Sequence, residues 1–331
     1  MDFDELVALS VKHNASDLHL CTGHLPMLRI DGELQPLPQG EILSPAAIQT
    51  LCAKLLGPQR QQALQPSGQL DGTLTSRDGR RLRANAFVHH GGISLALRMI
   101  AEHIPRLAAL QVPAIIPALT RREDGLILVT GATGSGKSTT LAAMIDEINR
   151  HQRRHILTLE DPIEFIHHSQ RSLIHQRELG RDTHSVELAL RAALREDPDV
   201  ILLGELRDLM TIRQALTAAE TGHLVLATLH TRNAPQAVER LVDVFPAEEK
   251  PYVRAQLAGS LQAVIAQKLV NKPGGGRTAI FEILTATPAV SSLIRDGKIH
   301  QLASVLQTGA QFGMQTFEQG LRQRIAQGIL S

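Results

Sequence analysis

Gly131-Ala132-Thr133-Gly134-Ser135-Gly136-Lys137-Ser138 fits the spacing GxxxxGK[ST]. Glycines at these positions let successive backbone N–H groups curl around phosphate oxygens without a Cβ in the way. The apolar run Leu126 to Thr130 ahead of the motif reads as a buried strand, and Ser138 to Asn149 behind it reads as a helix. That helix aims the positive end of its dipole at the same phosphates. In this context Lys137 is expected to reach the β- and γ-phosphates of a nucleotide, and Ser138 to hold Mg²⁺.

Downstream, short aliphatic runs recur at Ile156 to Glu160, Val200 to Leu203 and Leu224 to Thr228. Helical patterns at Ser185 to Arg195 and Thr211 to Ala219 separate them. Strand–helix alternation of this kind predicts an α/β fold whose parallel sheet is covered on both faces. The last ~85 residues read as mainly helical by their periodicity, broken at Gly274-Gly275-Gly276 and at Pro288.

Upstream the pattern is different. Phe3, Leu6, Val7 and Val11 fall at helical spacing, and Ile48, Leu51, Leu55 and Leu56 mark a second helix. Between and after them lie strands at 16–20, 27–30, 33–37, 69–75, 81–88 and 93–99, with hairpin turns at Asp31-Gly32 and Asp78-Gly79. Residues 1–100 are therefore expected to form a smaller, largely antiparallel α+β domain. Pro105, Pro113 and Pro117 interrupt the next stretch, so 101–120 reads as a linker with a short helix, and 121–331 as the nucleotide domain.

The composition narrows the function classes. With 34 Lys plus Arg against 33 Asp plus Glu, nothing demands a polyanionic partner. No Trp, one Tyr and seven Phe leave few rings on which single-stranded nucleic acid could stack. Cys21 and Cys52 fit no zinc spacing and read as free thiols in a reducing cytoplasm. The acidic start Met1-Asp2-Phe3-Asp4-Glu5 lacks a secretory pattern. No apolar run reaches the ~18 residues that would suggest a membrane span.

Several other residues are candidates for chemistry. Val200 to Leu203 leads through Gly204 to Glu205, a carboxylate at the end of a strand expected beside the phosphate loop, where an acid orders the Mg²⁺ shell. Glu160-Asp161-Pro162-Ile163-Glu164 places three acids at the carboxyl edge of the sheet, where one could activate the attacking water. His223 and His230 flank the strand Leu224 to Thr228 and read either as structural histidines or as sensors of phosphate. Arg80, Arg81, Arg83 and Arg98 read either as a solvated edge that blocks strand pairing or as charges reaching a phosphate.

Together these motifs resemble the secretion-superfamily (GspE/PilT-type) hexameric ATPases, nearest to their twitching-motility retraction branch. Ala15-Ser16-Asp17-Leu18-His19-Leu20 is similar to that family's opening strand, and Gly131 to Thr140 to its Walker A. Leu159 to Phe165 resembles its Asp box, Leu194 to Asp208 its Walker B, and Thr221 to Thr231 its His box. Phe312-Gly313-Met314-Gln315-Thr316 resembles a C-terminal signature. Two departures stand out. Ala132 occupies a position that is usually Pro, and Ala289-Val290-Ser291-Ser292 stands where the retraction branch has Ala-Ile-Arg.

The resemblance implies a PAS-like N-terminal domain, a RecA-like P-loop ATPase core and a homo-hexamer. It implies ATP and Mg²⁺ bound between subunits by Gly131 through Thr139, with Ser138 and Glu205 toward the metal. Glu164 would be the catalytic base, and Glu205, His223, His230, Arg83 and Arg98 would belong to the same site. The implied partner is an inner-membrane platform protein of a pilus or secretion machine. The chain itself would be cytoplasmic and reach the membrane only through that partner. Competing readings are a type II secretion or pilus-assembly ATPase, a RecA-like nucleic-acid motor, and an ATP-binding module without turnover. The four-cysteine zinc insert of assembly-type relatives is absent, and the charge balance argues against nucleic acid.

Overall fold

The computed structural model describes residues 2–30, 33–38, 40–53, 67–101 and 103–331. The chain divides into two compact units between His103 and Ile104.

The first unit holds a six-stranded antiparallel sheet in the order β3-β2-β1-β6-β5-β4. Its strands are β1 (Asp17–Cys21), β2 (Met27–Ile30), β3 (Glu33–Pro36), β4 (Gln69–Thr75), β5 (Arg81–His89) and β6 (Gly92–Met99). Helix α1 (Phe3–Lys12) opens the chain; Asp2 and Glu5 cap it reciprocally in a capping box. Residues 45–53 form α2; the rest of the expected second helix and the turn at Asp31-Gly32 lie outside the described residues. Period-2 alternation sorts the strands. Leu18, Leu20, Leu82, Ala84, Ala86, Leu95 and Leu97 are buried together with Phe3, Leu6 and Ile48 from the helices. The opposite side of the sheet carries Asp17, Arg29, Arg83 and Arg98 in one row of paired positions.

The second unit is built on a seven-stranded sheet in the order β13-β12-β7-β11-β10-β8-β9. It comprises β7 (Gly125–Thr130), β8 (His155–Glu160), β9 (Leu173–Glu178), β10 (Val200–Leu203), β11 (Leu224–Leu229), β12 (Leu261–Asn271) and β13 (Arg277–Thr285). All pairings are parallel except that between β12 and β13. Successive residues of the central strands enter different cores, as a sheet covered on both faces requires. Leu126, Leu128, Ile201 and Leu203 join one buried cluster; Ile127, Val129, Val200 and Leu202 join the other. The covering elements are α3 (Ile115–Leu119), α4 (Lys137–His151), α5 (Val186–Ala193), α6 (Leu209–Glu220), α7 (Ala234–Asp243), α8 (Lys250–Ser260), α9 (Pro288–Arg295), α10 (Leu302–Thr308) and α11 (Phe317–Ala326). Among the described residues no helix is long and apolar enough to cross a membrane.

The α/β fold with a RecA-like parallel core and a smaller α+β unit before it is thus borne out, with three corrections. First, 104–120 is not a free linker: Leu107, Ile116 and Leu119 are buried in the second unit's core. Second, the C-terminal stretch is not mainly helical. β12 and β13 form a long antiparallel hairpin whose turn contains Gly274, Gly275 and Gly276, all at positive φ. Third, β10 is not beside the phosphate-loop strand β7; β11 lies between them.

Candidate functional site

The site forms where β7, β11, β10 and β8 end at the carboxyl edge of the sheet, the edge at which open α/β sheets bind ligands. The loop after β7 departs at Gly131, with φ of 152°. A Cβ there would come within 2.5 Å of both the Gln267 carbonyl oxygen and Ser135 Oγ. Gly134 and Gly136 follow at φ of 79° and 89°. Helix α4 starts at Lys137 with Gly136 as its N-cap and no side chain capping it. The first N–H groups of a helix have no acceptor within it, so α4 presents uncapped donors and a positive dipole end to the loop's hollow.

The Lys137 ammonium is folded into that hollow. Its Nζ donates to the carbonyls of Gly131 at 2.7 Å and Ala132 at 3.0 Å, and lies 3.3 Å from His230 Nδ1. Burial lowers its pKa, opposed by the charges of Glu205 and Glu164. His230 follows β11, and its Nε2 lies 3.3 Å from Glu205 Oε1. Glu205 Oε2 accepts from Arg207 Nε at 2.8 Å, and Arg207 also reaches Asp161 at 3.9 Å. Burial would raise the Glu205 pKa, but the Arg207 hydrogen bond and the neighbouring His230 and Arg207 charges outweigh it, and the carboxyl is held below its ordinary range.

Of the expected residues, the structure brings Gly131, Ala132, Thr133, Gly134, Ser135, Gly136, Lys137, Ser138 and Thr139 together with His230 and Glu205 in one place. Glu164 sits exposed in the segment between β8 and β9, and its charge is felt by Lys137. His223 is not brought there. It precedes β11 at the amino edge of the sheet, roughly 20 Å of strand from His230 at ~3.3 Å per residue. Its Nδ1 lies 3.0 Å from the Ala218 carbonyl oxygen, at the end of α6. Arg83 and Arg98 belong to the first unit, where they stand opposite each other on β5 and β6. Arg98 Nε is 2.9 Å from Asp17 Oδ1.

Other residues emerge only in the structure. The Thr130 hydroxyl at the end of β7 lies 2.6 Å from that of Thr231 and accepts from the Thr231 N–H at 2.9 Å, tying the phosphate loop's strand to the segment carrying His230. On β9, Gln176 donates to Glu160 at 3.1 Å and to the Phe165 carbonyl at 2.8 Å, and accepts from the His167 N–H at 2.8 Å. Glu178 accepts from the Ile163 N–H at 3.1 Å. These two side chains brace the segment that presents Glu164. The mixed polar run Leu173-Ile174-His175-Gln176-Arg177-Glu178 carries no periodic signal that would have marked it as a strand. Beside the loop a cleft of about 840 Å³ opens, lined by Thr139, Thr140, Leu269, Lys272, Phe281 and Ile329 among others.

The residues present fit a nucleotide phosphate chain. The hollow is polar, donor-rich and cationic, and the buried Ser135 Oγ at its wall has no hydrogen-bond partner. No group of three or more His, Cys, Asp or Glu able to hold a metal occurs among the described residues. An ion here would draw on the Ser138 hydroxyl, the phosphates, water and at most one or two carboxylates such as Glu205, a donor set that suits Mg²⁺.

The family described as Type II/IV secretion system protein matches residues 4–275. The chain is 56% identical over 330 residues to the uncharacterized protein YggR of Escherichia coli K12, spanning 100% of both chains. It is 46% identical over 331 residues to the type IV pilus retraction ATPase PilT of Pseudomonas aeruginosa, covering 100% of this chain and 96% of that one. A crystal structure of the pilus retraction motor PilT with bound ADP superposes with a TM-score of 0.94 at 42% identity, covering 100% of this chain and 95% of that one. The chain belongs to the Type II/IV secretion system protein family, on the PilT-type branch of its P-loop ATPases.

Proposed function

We propose that this chain is a motor ATPase that hydrolyses ATP to drive retraction of a type IV pilus, or the equivalent stroke of a related secretion machine. The observation that carries the reading is the linked set Lys137, His230 and Glu205 at the mouth of an uncapped phosphate loop, in a chain similar over its whole length to PilT.

In this reading the N–H groups from Gly134 to Thr139 cradle the phosphates. Lys137 exchanges its two carbonyl contacts for β- and γ-phosphate oxygens, and the nucleoside lies in the cleft lined by Thr139, Leu269 and Phe281. Ser138, with Glu205 nearby, would hold Mg²⁺, which when bound would supply positive charge to offset that of the phosphates. Glu164 takes a proton from the attacking water as its oxygen bonds to the γ-phosphorus and the bond to the β-phosphate oxygen breaks. His230 bridges Lys137 and Glu205, so it meets both the phosphate and the acidic side of the site. Arg83 and Arg98 supply positive charge to the phosphates. The working form is a homo-hexamer, cytoplasmic, seated on an inner-membrane platform protein.

Ser291 is the feature that favours a related machine over retraction itself. It lies in α9, at the position where the resemblance to the retraction branch implies an arginine. Deleting the gene in its host and imaging pili live separates these readings. Normal extension with failed retraction is the expected result. Failed extension or failed secretion with normal retraction would reassign the machine.

A further inference from the structure

Gln267 is a buried glutamine that directly follows the apolar run Ala263 to Ala266 of β12. The pairing of β12 with β7 ends at Ala266 opposite Thr130, so Gln267 stands level with the first residue of the phosphate loop. Its side-chain Oε1 accepts from the Thr140 hydroxyl on α4 at 2.7 Å. Its Nε2 donates to the Ser135 carbonyl, within the loop, at 2.9 Å. Its backbone carbonyl oxygen would be 2.5 Å from a Cβ on Gly131, and its Nε2 would be 2.7 Å from a Cβ on Gly136. One residue thus approaches the start of the loop with its backbone, and its side chain reaches Ser135, Gly136 and the helix that follows.

We infer that Gln267 is a positioning residue for nucleotide binding: it fixes the Ser135–Gly136 peptide plane so that the Gly136 N–H faces the phosphates. The inference rests on the reading of this loop as a nucleotide site. The reasoning is geometric. In a trans peptide the C=O and the N–H point in opposite directions. Holding the Ser135 carbonyl toward β12 therefore turns the Gly136 N–H away from β12, into the hollow. Thr140 supplies the second half of the device. An amide side chain can sit either way round; the Ser135 carbonyl, which can only accept, selects the NH₂ end, and the Thr140 hydroxyl donating to Oε1 holds the other end in place. Gly136 is required on the same ground, since any Cβ would displace that NH₂ group.

Losing the bond costs phosphate affinity, because the N–H contributes to binding whether or not the phosphate is reacting. Such a loss raises KM and leaves kcat nearly unchanged. Removing one partner of a buried hydrogen bond is worth about a tenfold change in affinity.

The test is ADP binding to the full-length protein by titration calorimetry, with steady-state phosphate release beside it. Gln267→Leu, close in volume and without polar atoms, should weaken ADP about tenfold, and KM for ATP should rise in step while kcat stays within about threefold. Thr140→Val should weaken ADP by about threefold or more, whereas Thr140→Ser, which keeps the hydroxyl, should bind within about twofold of the parent. The Gln267→Leu, Thr140→Val pair should be no worse than Gln267→Leu alone, because the two residues act through one bond to Ser135. Unchanged ADP affinity in Gln267→Leu, with or without a lower melting temperature, would overturn the inference. If that variant does not fold, the Thr140 pair decides, and equal affinity of the Val and Ser variants would overturn it. Failure of the underlying reading looks different: the unsubstituted protein would not bind ADP, and Lys137→Ala would be indistinguishable from it.

Discussion

The two cationic sites of this molecule are built in opposite ways. In the second unit, Lys137 is buried and already engaged, by two carbonyls and by His230, within a site whose acids and histidine come from neighbouring strand ends. In the first unit, Arg83 and Arg98 sit directly across from each other on adjacent strands, and the Arg98 side chain is 69% exposed. Like charges placed opposite one another across a sheet destabilise it, and a single carboxylate, Asp17, faces Arg98 from β1. Asp17 is itself held ionised: burial opposes this, but the Ser16 hydroxyl and Arg98 outweigh it and lower its pKa. A pair of arginines kept at such a local cost makes sense if an anion from outside the unit repays it. The phosphate loop, by contrast, closes its own contacts. The difference separates charges matched at close range within their own unit from a row in which like charges face each other.

The comparison can be broken or sharpened experimentally. The largest effect is expected from Glu164→Gln, which keeps size and removes the base. It should lower kcat by about 10³-fold with ADP affinity preserved, read by phosphate release and calorimetry. Next, Arg98→Ala should lower kcat by about 10²-fold while barely changing the melting temperature, and Arg83→Ala should act in the same direction. Full activity in both would return the arginine row to the role of a solvated sheet edge. Third, His230→Ala should cost about tenfold in kcat/KM, whereas His223→Ala should leave single-chain ADP binding within about twofold. Equal losses of ADP affinity in the two would mean that the amino edge of the sheet also takes part.

The smallest effect concerns pH. The folded-state pKa of Glu205 lies below its ordinary value, so its contribution to stability is present above the ordinary carboxylate range. That contribution is lost as pH falls through the lowered folded value. Melting curves of Glu205→Gln and the parent should therefore differ near neutral pH and converge in acid. Parallel curves throughout would show that the contacts of Glu205 with Arg207 and His230 contribute nothing net.

Legibility in the sequence followed locality. The phosphate loop could be read because strand, glycines, lysine and helix are contiguous, and every one of them falls where the spacing puts it. Glu205 and His230 could be placed at strand ends, but the order of strands could not, since no residue of β10 or β11 specifies its neighbour. β12 was misread for a physical reason. Leu257, Leu261, Val264, Ile265 and Leu269 recur at helical spacing, yet from Leu261 onward they occupy a strand whose apolar stretch Ala263 to Ala266 is buried on both faces and so has no alternation of its own. That error hid Gln267, whose importance comes from lying beside a loop more than a hundred residues away in sequence. The brace from β9 to the Glu164 segment was hidden in the same way, because an edge strand with polar side chains carries no apolar alternation.

One measurement bears most directly on the claim that this loop works as the catalytic centre of an ATPase. It is the steady-state release of inorganic phosphate from ATP and Mg²⁺ by the purified protein and by Lys137→Ala, side by side. Turnover in the parent with a loss of at least about 10²-fold in the variant is the predicted result. Equal rates in the two would contradict it.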